Sequence, residues 1–149
     1  MSETQQLCTF FLDRRFFGVP VQQVQEVIRY QEMARVPLVP PVISGLINLR
    51  GQIVTAIDLR RRLGMEERSA ADLPMNVVVR TEDGPISLLV DEIGDVLEVG
   101  EETFERPPET LDAPARELIL GVHKLSGRLL LVLDIQKAVN LCETNGAAA

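Results

Sequence analysis

With 149 residues, 46% of them hydrophobic, the chain suits one compact domain or two small ones sharing a core, and it is too apolar for a disordered polymer. Lys and Arg total 15 against 22 Asp and Glu, and the formal charge of −7 opposes non-specific nucleic-acid binding and attraction to an anionic membrane. Aromatic residues are 4% and Trp is absent, so Val, Leu and Ile must build the core, a bias toward strands.

The polar start, Met1–Gln6, lacks the basic-then-apolar layout of a signal peptide, and no apolar run reaches the length of a membrane span. The expectation is a cytoplasmic protein without direct membrane insertion. Its two isolated cysteines, Cys8 and Cys142, read as reduced thiols. The stretch Leu7–Val21 predicts two short strands around a turn at Asp13–Arg14, with Pro20 at a strand end or on an edge. A short amphipathic segment, Val21–Ile28, leads to the proline-stiffened connector Val36–Pro41. Val42–Leu63 then reads as strand, Gly turn, apolar strand, Asp and short helix.

Polar residues 64–74 form the joint. Beyond it, Met75–Val90 predicts a hairpin around Asp83–Gly84, followed by a second amphipathic segment, Val90–Leu97. A second connector, Arg106–Ala115, precedes a second strand–Gly turn–strand–Asp–helix unit at Leu118–Val139. Residues 1–6 and 143–149 read as flexible tails around a single domain spanning 7–140.

The order repeats because the sequence does. Val42–Leu63 lies over Leu118–Val139 at an offset of 76, matching Ile43 with Ile119, Gly45 with Gly121, Gly51 with Gly127 and Asp58 with Asp134. Val21–Ile28 lies over Val90–Leu97 at an offset of 69, matching Glu26 with Asp95. Two matches in the same order indicate two copies of one β-unit. Strands as apolar as Ile53–Ile57 and Leu129–Leu133 need cover on both faces, which two small barrels packed together would supply.

Asp58 and Asp134 each stand where an apolar strand meets a short helix, the place of an N-cap, so a structural role is expected over a catalytic pair. Arg60, Arg61 and Arg62 point in different directions on a short helix and read as a solvated face. His123, the one histidine, reads as a partly exposed strand residue. No phosphate loop, nucleophile elbow or Cys-x-x-Cys pair is present, so no catalytic residue, metal site or cofactor is expected.

Arg50 stands apart. Copy one turns through Leu49-Arg50-Gly51 and copy two through Leu125-Ser126-Gly127, so Gly51 and Gly127 make the turn and the Arg is not needed for it. Glu26 or a partner's carboxylate could engage it, and the residues alone leave both open.

The stretch Gly45–Gly64 resembles the signature of the CheW-like chemotaxis coupling family, as do Phe16–Arg29 and Leu88–Val99. The resemblance implies a mainly β fold of two intertwined five-stranded SH3-like barrels around a shared hydrophobic core, with short helices. It implies a non-catalytic adaptor bridging the cytoplasmic tips of methyl-accepting chemoreceptors to the regulatory domain of the histidine kinase CheA, in membrane-associated arrays. A coupler of a pilus or gliding pathway has the same pattern, and a small-barrel nucleic-acid binder is the remote alternative. Carried over position by position, the receptor-facing residues would be Val24, Glu26, Gly45, Arg50, Val77 and Val96. The kinase-facing residues are left open.

Overall fold

Each copy of the repeat lends its first hairpin to the sheet of the other. The computed structural model describes residues 4–111 and 113–140. Copy one supplies β1 (Thr4–Leu12), β2 (Arg15–Pro20), β3 (Val24–Ile28), β4 (Ile43–Leu49), β5 (Gln52–Asp58) and α1 (Leu59–Arg62). Copy two supplies β6 (Met75–Thr81), β7 (Gly84–Val90), β8 (Glu92–Gly100), β9 (Phe104–Glu105), α2 (Ala115–Leu118), β10 (Ile119–Leu125), β11 (Arg128–Leu133) and α3 (Ile135–Val139). One sheet runs β8-β1-β2-β11-β10-β9 and the other β3-β6-β7-β5-β4. The β1–β2 hairpin thus lies among strands of copy two, and β6–β7 among strands of copy one. Equivalent parallel pairings, β2 with β11 and β7 with β5, join them.

The repeat extends to the irregularities. Register slips between Ile43 and Gly45 on β4 and between Ile119 and Gly121 on β10, at the same repeat position. The backbone N–H of Asp58 donates to Val42 O, and that of Asp134 to Leu118 O, each at 2.8 Å. The unequal strand numbers have a simple cause. After β3 the chain returns to β4 through one bridge, Ala34 with Leu46, whereas after β8 it pairs two residues with β10, as β9. In both sheets this return brings the outer strands together, so each sheet curls into a small barrel.

Alternation along the strands divides the core in three. Val77 and Val79 face a shared core with Phe10, Phe17, Ile57, Leu88, Leu131 and Leu133, drawn from both sheets. Val78 points the other way, into the barrel of the five-stranded sheet with Ile47, Val54 and Leu89. Leu7, Phe16, Val99, Leu130 and Val132 fill the second barrel. Burial on both faces explains the apolar runs beyond their first residues, while Ile53 and Leu129, which open them, stay exposed.

Several expectations shift. Thr4–Gln6 are not a loose tail: they pair with Gly100, Val99 and Glu98, because an open strand edge bonds backbone whatever the side chain. The segments read as amphipathic become strands β3 and β8, each with a bulge. The second hairpin turns through Glu82–Asp83, one residue earlier than expected, with Gly84 at φ +103°. Pro20 ends β2, which is an inner strand. Cys142 and residues 143–149 lie outside the described residues.

Candidate functional site

Besides the Ala34–Leu46 bridge, a polar contact spans the outer strands of the five-stranded sheet. Register slips by one residue between Val24 and Glu26 on β3, so Val24 packs on the shared core while Glu26 turns toward the β4–β5 loop. There Nη2 of Arg50 donates to Oε2 of Glu26, joining the two outer strands of the sheet. The Arg50 side chain is 72% exposed and that of Glu26 19%. A pair this wet contributes only about 0–1 kcal/mol to stability.

The turn beneath Arg50 is unusual. Leu49 pairs with Gln52, leaving a two-residue loop in which Arg50 has φ +53° and Gly51 φ +87°. Two left-handed residues make the hairpin turn that favours Asn-Gly, and the Asn48 side chain closes it by accepting the Gly51 N–H at 2.8 Å. In copy two Gly127 alone is left-handed, at φ +83°. An Arg in the left-handed region costs about 1 kcal/mol relative to Gly or Asn. Copy two shows that the fold does not require that cost. Arg50 uses its Nη2 on Glu26, and among the described residues its Nε and Nη1 have no acceptor. Beside it, Ile53 of β5 and Val27 of β3 are exposed; the sequence does not mark either, because Ile53 opens an apolar run and Val27 follows the β3 bulge.

The other expected positions divide. Gly45 is buried, and a Cβ there would lie 2.6 Å from the Ala34 carbonyl oxygen, so Gly is what admits the Ala34–Leu46 bridge. Val77 is 1% exposed and sits in the shared core, which removes it from any surface. Val96 is 55% exposed but lies on β8, in the other sheet.

Asp58 and Asp134 spend their carboxylates on capping. Asp58 accepts the Arg60 N–H at 3.0 Å, and Asp134 accepts the Lys137 N–H at 3.1 Å. The arginines after Asp58 are not a solvated face. Arg60 donates from Nε and Nη2 to Asp91. Arg62 reaches across the repeat to the end of α3, donating to Ala138 O at 2.9 Å and Lys137 O at 2.8 Å. Arg68, from the joint, donates to Asp91 at 3.1 Å and lies 3.3 Å from Asp58. Arg61 alone keeps substantial exposure, paired with Glu67. Burial disfavours charge on Asp91, but hydrogen bonds from Arg60, the Asp13 N–H and Arg68 outweigh it and hold the carboxyl below the usual range. This cluster ties the first hairpin, α1, the joint and the end of β7 together.

His123 is buried rather than partly exposed. Its Nδ1 lies 2.8 Å from Thr103 Oγ1, Phe104 packs on its ring, and burial lowers its pKa. Among the described residues no group of three or more His, Cys, Asp or Glu could hold a metal ion. No helix among them is long and apolar enough to cross a membrane.

A family model described as "CheW-like domain" matches residues 6–143. The chain belongs to the CheW-like family. It is similar to the chemotaxis protein CheW of Bacillus subtilis, at 32% identity over 87% of this chain and 83% of that protein. It is similar to that of Treponema pallidum at 30% identity over 91% of this chain and 82% of that protein. Among solved structures it resembles the scaffolding protein TtCheW of Thermoanaerobacter tengcongensis, with a TM-score of 0.77 and 27% identity, covering 88% of this chain and 89% of that one.

Proposed function

We propose that this CheW-like chain is a non-catalytic chemotaxis coupling adaptor. It links the cytoplasmic tips of methyl-accepting chemoreceptors to the histidine kinase CheA through the kinase's regulatory domain, within cytoplasmic arrays at the membrane. Membership of the family supports the role, and one local observation carries the receptor-facing surface: Arg50 occupies a strained turn the fold does without, with donors left over for a partner. A guanidinium of this kind fixes the register of an incoming segment while exposed Ile53 and Val27 supply apolar contact. Of the carried-over positions, Arg50 and, in part, Glu26 and Val24 offer that surface, while Val96 is exposed on the other sheet. Gly45 and Val77 are buried and offer none.

Co-sedimentation with a purified receptor cytoplasmic fragment, and capture on the purified regulatory domain of the same organism's kinase, test this reading. Wild-type protein should bind both at micromolar concentration, and Arg50→Glu should weaken the receptor interaction at least tenfold. Folded wild-type protein that binds neither would refute it.

A further inference from the structure

The two Gly turns of the repeat are both two-residue loops, yet only one of them runs through two left-handed residues. In copy one Leu49 pairs with Gln52, and Arg50 and Gly51 lie at φ +53° and +87°. In copy two Leu125 pairs with Arg128, and Gly127 is left-handed, at φ +83°, while Ser126 is not. Glycine takes that conformation without strain, so Gly51 and Gly127 need nothing else to hold them. Arg50 does, because a side chain is disfavoured there.

Asn48 supplies the difference. It is an exposed residue of β4, two positions before Arg50, and its Oδ1 accepts the Gly51 N–H at 2.8 Å. That N–H belongs to the peptide plane joining Arg50 to Gly51, so the bond fixes the backbone on the C-terminal side of Arg50. The repeat places Lys124 at the equivalent position of copy two. An ammonium group donates and cannot accept, and Lys124 pairs instead with Oε2 of Glu105 at 3.1 Å. Where the acceptor is present, the residue before the glycine is left-handed; where it is missing, that residue is not. The φ and ψ of residue 50 set the direction of its Cα–Cβ bond, and hence where its guanidinium meets Glu26.

We propose that Asn48 is a positioning residue for recognition: it holds Arg50 in the left-handed turn and thereby presents the guanidinium to the receptor. It acts through the backbone and makes no contact of its own with the partner. The assignment rests on the receptor-facing reading of Arg50. Without the acceptor the loop can take the form seen in copy two, and only the fraction of molecules with Arg50 left-handed is ready to bind.

A double-mutant cycle tests this, with a labelled, purified receptor cytoplasmic fragment titrated by fluorescence anisotropy. Asn48→Ala should bind about fivefold more weakly than the wild type, the penalty for an Arg left to find the left-handed region unaided. Its melting temperature should fall by no more than about 6 °C, the loss of one exposed hydrogen bond. Asn48→Asp keeps an acceptor oxygen and should bind within about twofold of the wild type. In an Arg50→Asn background, Asn48→Ala should change binding by less than about twofold, because no guanidinium remains to be aimed. An equal loss from Asn48→Ala in both backgrounds would mean that Asn48 touches the partner itself. Wild-type binding by Asn48→Ala would mean that the turn holds Arg50 without it, and an Asn48→Asp as weak as Asn48→Ala that the acceptor is not what matters. Each of these three results overturns the proposal and leaves the receptor-facing reading of Arg50 intact. Wild-type and Arg50→Asn proteins that bind the fragment equally, or not at all, overturn that reading and the role of Asn48 with it.

Discussion

Replacing Arg50 by Asn separates structure from recognition. The substitution relieves the left-handed backbone of an Arg, a gain of about 1 kcal/mol, because Asn hydrogen-bonds locally in that region. It removes an ion pair whose Arg is 72% exposed, a loss of about 0–1 kcal/mol. Glu26 loses its partner, but water reaches it, and Gln25 Nε2 still lies 3.4 Å from its Oε2. The opposed contributions nearly cancel. Thermal unfolding followed by circular dichroism should therefore shift by no more than about 4 °C in either direction, using roughly 2–4 °C per kcal/mol for a domain of this size. Receptor co-sedimentation should nevertheless drop at least tenfold. A melting temperature lowered by more than about 6 °C would show that Arg50 holds the barrel closed, and the argument from a dispensable strained residue would fail.

Three further outcomes follow from the buried polar groups and from Gly45. Asp91→Ala leaves Arg60 and Arg68, with side chains 14% and 10% exposed, close together without their shared carboxylate. The cost should be about 3 kcal/mol, near the lower end for breaking a buried pair, and calorimetry should show a melting temperature lowered by about 6–12 °C. Because the folded Asp91 pKa lies below its unfolded value, its contribution is present above the ordinary carboxylate range and lost as pH falls through the folded value. Stability of the wild type, but not of Asp91→Ala, should carry that acid-side loss. His123 has a folded pKa lowered by burial, so its share of stability is complete above about pH 6.5 and declines as pH falls from there through the folded value. Urea titrations from pH 7 to 5 should show that decline in the wild type and a flatter profile in His123→Gln. Gly45→Ala drives a methyl group against the Ala34 carbonyl, and denaturant unfolding should show a loss of about 1–3 kcal/mol.

Much of the local structure was legible in the sequence because its causes are local. The short apolar runs, the Gly51 and Gly127 turns and the caps at Asp58 and Asp134 depend on residues a few positions apart. The repeat was legible too, since it is a comparison of the chain with itself. Arg50 was singled out by the same comparison, as the place where the copies differ.

The exchange of hairpins between copies could not be read this way. Two copies with one pattern offer each strand two partners of the same local character, and only the packed whole chooses between them. That choice buries Val77 in a core shared by both sheets, where its sequence neighbours gave no sign of which face it would take. It also brings Arg60, Arg68 and Asp91 together from segments far apart in the chain, converting a run of arginines that looked solvated into a clasp. The left-handed backbones at Arg50 and Leu38 were not legible either, because neither residue prefers that conformation. Residue types and their spacing determined the strands, turns, caps and repeat. Which strands meet, and which side chains remain outside to meet a partner, was decided by the competition for burial in three dimensions.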